Sequence, residues 1–315
     1  LDASRNINLI ASADKETNQS KNKSSSASIG ISIGVGGEGT GLSLDLAASR
    51  GKGKANSDSL TYNNTQVSAG ETLALNSGND TNLIGANARG KQVIADVAGD
   101  LNIESVQDTA TSKAKQSNTG ISISIPIGAG IAGGSISNSK QKSNSNYASV
   151  YEQSGIKAGE DGFDITIAGN TDLKGAVIDS IATADKNQLT TSTLTVNDIQ
   201  NHMDADASSQ GITLSKDMLS SKYVAAKGLA SNLQNHGAAD IKDSSTTLSA
   251  ISPASITITD ETAQIALTDK NAEETIGSLN RDTSDTNRVL ERPDMEALQE
   301  KAQQEQADKL LLSAT

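Results

Sequence analysis

S-A-S-I-G-I-S-I-G-V-G-G-E-G-T-G-L-S-L-D-L, from Ser26 to Leu46, and N-T-G-I-S-I-S-I-P-I-G-A-G-I-A-G-G-S-I-S, from Asn118 to Ser137, decide how this chain is read. In the first, Ile29, Ile31, Ile33 and Val35, then Leu42, Leu44 and Leu46, alternate with Gly, Ser or another small or polar residue. In the second, the alternating aliphatics are Ile121, Ile123, Ile125 and Ile127, followed by Ile131 and Ile136. Successive side chains of a strand point to opposite faces, so strict alternation makes a strand with one aliphatic face. The Gly-rich centres, Gly34 to Gly41 and Gly128 to Gly134, are where such a strand turns back. Each stretch therefore reads as a β-hairpin, over 26–46 and 118–137.

Outward from the hairpins the chain is polar and locally basic. Lys15, Lys21 and Lys23 precede the first, and Arg50, Lys52 and Lys54 follow it. Lys113 and Lys115 precede the second, and Lys140 and Lys142 follow it. Beyond these flanks short aliphatic strands alternate with Gly/Asn/Asp turns, and the pattern occurs twice. Val67-Ser-Ala-Gly70 parallels Ile156-Lys-Ala-Gly159; Leu73-Ala-Leu75 and Leu83-Ile-Gly85-Ala86 parallel Ile165-Thr-Ile167 and Leu173-Lys-Gly175-Ala176. The unit is about 90 residues, and its short strands bury their apolar side only by stacking on the next coil, which indicates a solenoid with coils of roughly 20 residues. The spacings Leu83, Val93, Leu101 and Ile165, Leu173, Ile181 mark the rungs.

Composition agrees. Aromatics make up 2% of the 315 residues, with one Phe and no Trp. A compact enzyme core of this size uses large aromatics, whereas a thin stack of Ile, Leu and Val does not need them. A net charge of −12 argues against a general nucleic-acid binder. The absence of Cys excludes disulfides and Cys-built metal sites. No apolar run approaches the roughly 20 residues of a membrane helix. The start at Leu1, without Met or leader, reads as an excised or processed piece.

After Asn201 the strand pattern thins, and 201–268 reads as an irregular segment. Within it, Leu219, Tyr223, Ala226, Ala230 and Leu233 predict a helix over about 217–236, with His236 near its C-terminal end. Ile256-Thr-Ile258 and Ile265-Ala-Leu267 are short strand candidates. Residues 269–292 read as a polar linker, and Pro293 opens a helix over 293–312 whose thin apolar stripe predicts a solvated, partly ordered tail.

The doubled stretches V-S-A-G-E-T-L-A-L-N-S-G-N-D-T-N-L-I-G-A (67–86) and I-K-A-G-E-D-G-F-D-I-T-I-A-G-N-T-D-L-K-G-A (156–176) resemble the haemagglutinin repeats of two-partner-secreted exoproteins. G-A-V-I-D-S-I-A-T-A-D-K-N-Q-L-T-T-S-T-L-T-V-N-D-I-Q-N (175–201) is similar to the filamentous-haemagglutinin region of contact-dependent growth inhibition exoproteins, towards their C-terminal toxin. The segment 256–283 is similar to the approach to their pretoxin region. The resemblance implies an all-β, right-handed parallel β-helix (β-solenoid), here with two protruding β-hairpins and a small α-helical C-terminal part. It also implies a secreted, cell-surface protein with an outer-membrane secretion partner, and a C-terminal toxin in cis that would lie beyond Thr315. In toxin-delivering members this region is held to help the toxin across the outer membrane of a neighbouring bacterium.

The residues add a mechanism for such delivery. A strand from Ser26 to Val35 has the 9–11 residues of a tilted membrane strand, aliphatic on one face and small or polar on the other. The expected membrane-contact residues are Ile29, Ile31, Ile33, Val35, Leu42, Leu44, Leu46, Ile121, Ile123, Ile125 and Ile127. Lys21, Lys23, Arg50, Lys52, Lys54, Lys113, Lys115, Lys140 and Lys142 are the expected contacts to headgroups or lipopolysaccharide of a target outer membrane. The alternative is that each hairpin folds its aliphatic face onto the solenoid or pairs with a neighbouring chain. A passive adhesin or stalk is the second functional class, and a β-helix polysaccharide-degrading enzyme the third. His202-x-Asp204-x-Asp206 is the nearest approach to a metal or catalytic cluster, read as a solvated polar turn. No P-loop, G-x-S-x-G or H-E-x-x-H motif occurs, so no enzyme, metal or cofactor is expected.

Overall fold

A computed structural model describes residues 1–36, 39–127, 133–215 and 236–314. Short strands form a three-sided parallel β-helix, interrupted by long antiparallel excursions. The first coil holds β1 (Asp2–Ala3) and β2 (Ile7–Ile10), and leads into the hairpin β3 (Ser12–Gly36) and β4 (Gly39–Asn63). The second coil is β5 (Thr65–Ser68), β6 (Thr72–Ser77) and β7 (Thr81–Ile84); the third is β8 (Ala86–Val97) and β9 (Leu101–Glu104). A second hairpin follows, β10 (Gln107–Ile127) and β11 (Gly133–Val150). The fourth coil is β12 (Gly155–Lys174), and the fifth is β13 (Val177–Ser180) and β14 (Gln188–Asn197). A third antiparallel pair, β15 (Ile199–Ser215) and β16 (His236–Thr247), precedes the last coil, β17 (Ala250–Ile251) and β18 (Ser255–Ile258). Three helices close the chain: α1 (Glu261–Thr268), α2 (Ala272–Gly277) and α3 (Met295–Ala314).

The coil length follows from the pairing. Thr65 lies on Ala86 and Leu83 on Ile103, so one turn takes about 20 residues. Identical positions then stack into columns: Leu75, Ala95, Ile165, Leu189 and Ile256 in one, Leu83, Ile103, Leu173 and Val196 in another. These columns are the core, and Phe163 is its one aromatic member, which is why the composition needs so few. Ile181, expected as a rung, is exposed. Polar columns outside the core stack too: Asn82 Nδ2 donates to Asn8 Oδ1 at 2.8 Å, and Asn102 Nδ2 to Asn82 Oδ1 at 2.9 Å.

All three excursions leave the solenoid at one corner, after β2, β9 and β14. In the intervening coils Gly85 and Gly175 turn that corner with φ of 60° and 54°. A Cβ on Gly85 would meet Ala11 Cβ at 2.5 Å, and one on Gly175 would meet Ile199 Cδ1 at 2.6 Å, so only Gly fits. The hairpins therefore issue from alternate coils. Coils rise about 4.8 Å, so two advance by about 9.6 Å, the width of one two-stranded hairpin. Successive hairpins thus meet edge to edge, and the repeat unit of about 90 residues is two coils plus one hairpin. They form one six-stranded antiparallel sheet in the order β16-β15-β11-β10-β4-β3.

Several expectations are corrected. The hairpins are far longer than 26–46 and 118–137, because the polar basic flanks are themselves strand. Residues 201–215 and 236–247 belong to the third antiparallel pair, not to an irregular segment, and His236 begins a strand. The helix expected over 217–236 otherwise lies outside the described residues. Ile265–Leu267 is helical: α1 starts under the Asp260 cap, whose side chain accepts from Ala263 N, and its buried Gln264 exchanges hydrogen bonds with Leu194 N and O at 2.8 and 3.1 Å. One side chain thereby satisfies the ladder edge of β14 at Leu194, beyond its pairing with β18. The stretch 269–292 carries α2, opened by an Asn271/Glu274 capping box, and then a strap across the hairpin roots. Asn287 bridges Thr247 and donates to Val150 O, the Tyr147 hydroxyl donates to Leu290 O at 2.9 Å, and Arg292 reaches Thr61 and Asp108. Helix α3 is no solvated tail along its first turns. Leu298 and Ala302 are buried on Ala205, Ala207 and Ala239.

Candidate functional site

The paired register of the six-stranded sheet fixes which side chains share a face. Ala27, Ala48, Ile121 and Ile136 stand opposite one another on four successive strands. Ile29, Leu46 and Ile123 form the next row towards the tips, and Ile31, Leu44 and Ile125 the row beyond. The aliphatic faces of the two hairpins, legible separately in the sequence, are therefore one field. The field is open: Ile29 is 72% exposed, Ile31 68% and Ile127 56%. Ile121, Ile123, Ile125 and Ile136 are also exposed, while Leu44 and Leu46 are half-buried. A shallow concavity of about 350 Å³ runs between Ile29, Leu46, Ile121 and Ile123. Ile33 pairs with Leu42 in the backbone register, and Val35 with Thr40; the side chains of Ile33, Val35 and Leu42 lie outside the described part.

The opposite face is a serine zipper. Ser26 bonds Ser49 and Ser32 bonds Ser43, both at 2.7 Å, and Ser122 bonds Ser135 at 2.8 Å. Ser124, with Ser32, holds the Asp45 carboxyl below the usual carboxylate range by hydrogen bonding. Nearer the solenoid this second face is covered by α3, where Ser209 Oγ donates to Gln306 Oε1 at 2.6 Å. The sheet thus has one covered or self-bonded polar face and one open face.

The cationic flanks fall on the open face as well. Lys21, Lys54, Lys115 and Lys142 make one transverse row, Lys23, Lys52 and Lys140 the next. Arg50 lies one row further towards the aliphatics and Lys113 one row closer to the solenoid, so all nine expected cations share this face. Sequence reading missed the third hairpin, whose Leu214 register position continues the Ala27 row next to Ile136. The readable signal was the alternation of Met203, Ala205 and Ala207 with His202, Asp204 and Asp206.

His202, Asp204 and Asp206 lie in β15, not in a turn, and do share a face. Asp206 Oδ2 accepts from Asn144 at 3.0 Å, and Asp204 Oδ1 lies 3.8 Å from Lys242 Nζ. Among the described residues no three such side chains are spaced to hold a metal ion. A cleft of about 520 Å³ between β14 and the α1–α2 pair includes a single carboxylate, Asp198, and its Oδ1 accepts from Ser249 N at 2.8 Å. Among the described residues no helix is long and apolar enough to cross a membrane.

Comparison with known proteins agrees with this architecture. Residues 1–119 match the Hemagglutinin repeat family. Over 290 residues, 91% of the chain, it is 37% identical to a 16S rRNA endonuclease CdiA of Enterobacter cloacae subsp. cloacae, covering 8% of that protein. Over 232 residues, 72% of the chain, it is 39% identical to a Toxin CdiA of Escherichia coli, covering 7% of it. Over 236 residues, 73% of the chain, it is 37% identical to a Deoxyribonuclease CdiA of Yersinia pseudotuberculosis, covering 20% of it. The chain thus spans a small part of the length of these relatives. No solved structure matches. The chain carries the haemagglutinin repeat and is homologous over most of its length to a segment of CdiA proteins.

Proposed function

We propose that this haemagglutinin-repeat chain is a non-catalytic segment of a secreted, cell-surface contact-dependent growth inhibition exoprotein. Its task is to help deliver a C-terminal toxin across the outer membrane of a neighbouring cell. The nuclease activities in the names of the relatives belong to those proteins; the residues here serve passage, not cleavage. The observation that carries the reading is the single open aliphatic field, built from both hairpins and backed by a self-bonded polar face. That is the arrangement of outer-membrane strands, apolar outside and polar inside. Eight residue steps from Ala27 to Val35 measure about 27 Å along the strand at 3.4 Å each, which at a tilt of about 45° crosses about 19 Å of an apolar band of about 25 Å in such barrels. Six strands with open edges leave backbone groups unpaired in lipid, so further strands must join for full insertion.

The test uses the full chain with a single Cys at Ile31 or Ile123, carrying an environment-sensitive dye, in outer-membrane lipid vesicles. Ser32 and Ser122 serve as opposite-face controls. The reading requires a blue shift at the Ile positions and none at the Ser positions. A shift at neither leaves the field a packing surface and favours a passive stalk.

A further inference from the structure

The seven lysines of the two transverse rows border one open groove of about 410 Å³. Lys21, Lys23, Lys52 and Lys54 come from the first hairpin, and Lys115, Lys140 and Lys142 from the second. All seven are exposed, and none belongs to an ion pair among the described residues. Four like charges stand directly opposite one another at strand spacings of about 4.8 Å, an arrangement that destabilises a sheet. In a chain of net charge −12 this concentration is local, and the same face turns acidic towards the solenoid, at Asp58, Asp204 and Asp206. Neither hairpin alone makes the groove.

We infer that this groove binds the headgroup of a membrane lipid bearing more than one phosphate, and that the bound headgroup fastens the two hairpins together at the membrane surface. The inference rests on the lipid-contact reading above and deepens it by naming the headgroup chemistry. Lysines on strands about 4.8 Å apart, in rows about 6.8 Å apart along the strands, suit a ligand whose phosphates are separated by several ångströms. The source is a lipid because the aliphatic rows begin about 14 Å further along the same strands, on the same face. A strand tilted by about 45° brings them about 10 Å deeper, just past the headgroup layer. A nucleic acid would meet the lysines but leave the aliphatic field in water.

The experiment measures binding of the full chain to phosphatidylcholine vesicles containing either cardiolipin, with two phosphates, or phosphatidylglycerol, with one, matched in total charge. The groove predicts preference for cardiolipin. It also predicts a loss of about 10²-fold in the triple variant Lys54→Gln/Lys115→Gln/Lys142→Gln, at about fivefold per lysine. The melting temperature of that variant is unchanged or raised, since a row of like charges is relieved. A charge-matched variant on the solenoid, Lys91→Gln/Lys174→Gln/Lys186→Gln, keeps the preference. Equal binding to both vesicles, or unaltered binding by the hairpin variant, overturns the groove even if dye at Ile31 still shifts. Cardiolipin preference without a dye shift overturns insertion and leaves the groove standing. Displacement by free pyrophosphate or by duplex DNA at lower concentration than cardiolipin overturns the lipid assignment.

Discussion

Replacing Ile29, Ile31, Ile123 and Ile125 together by Ser separates membrane binding from folding. Their exposures are 72%, 68%, 46% and 44%, so most of their apolar surface is absent from the fold's own burial. The exposed fractions amount to roughly two whole isoleucine side chains, and burying one contributes about 1.5–3 kcal/mol. Transfer into lipid therefore loses about 3–6 kcal/mol, or about 10²- to 10⁴-fold in partitioning. The cost to folding is small, because strand preferences span only about 1 kcal/mol per site and no core cavity is made. Co-sedimentation with outer-membrane lipid vesicles, beside a thermal melt, gives both numbers. Unchanged partitioning refutes the lipid-facing account. So does a loss of stability near 2–5 kcal/mol per site, the range of core truncations, since it would mean that the field is buried against something.

Other predictions address the scaffold. Gly175→Ala forces a Cβ at φ 54° into Ile199 and destabilises by about 1–3 kcal/mol, read by chemical denaturation. Gln264→Ala leaves Leu194 N and O without partners at the β14 ladder edge, lowers stability by about 2–4 kcal/mol and accelerates hydrogen exchange at Leu194. Asp243 is held below the usual carboxylate range mainly by its hydrogen bonds to the Arg288 guanidinium. Its unfolded value is about 3.9, so the contribution is full above that pH and disappears as pH falls through the lower folded value. In Arg288→Gln the Asp243 titration, followed by NMR, moves up.

Much of the fold was legible because burial leaves a period. The solenoid strands bury one side, so Leu73, Leu75, Leu83, Ile165 and Leu173 mark the coils. The recurring Leu-Ile-Gly85-Ala and Leu-Lys-Gly175-Ala mark the corner that needs positive φ. The hairpin flanks bury little on either side. Ser12 to Ser25 and Arg50 to Asn63 therefore carry no hydrophobic period, and their strand character follows from pairing across the alternate-coil spacing. The third hairpin hides for the same reason: its buried face is made of Ala205, Ala207 and Ala239, too small to stand out, under a helix a hundred residues away in sequence. The strap through Asn287, Leu290 and Arg292 reads as a linker because its anchorage is by hydrogen bonds, one arginine 5.8 Å from the Tyr147 ring and a single leucine buried on Tyr147 and Met203, rather than by an apolar stripe. For the candidate site, each aliphatic face was readable, but the merging of two faces and the two lysine rows depended on inter-hairpin register.

The inter-hairpin register makes the two aliphatic faces one field, and a disulfide tests it directly. Leu46 and Ile123 stand opposite each other across the junction of β4 and β10, whereas Ser122 is shifted by one residue and faces the other side. Under mild oxidation the pair Leu46→Cys/Ile123→Cys closes in full, Leu46→Cys/Ser122→Cys does not, and the bridged protein still binds vesicles with its field intact. Failure of the first pair to close, or equal closure of both, contradicts a single sheet with one lipid-facing field.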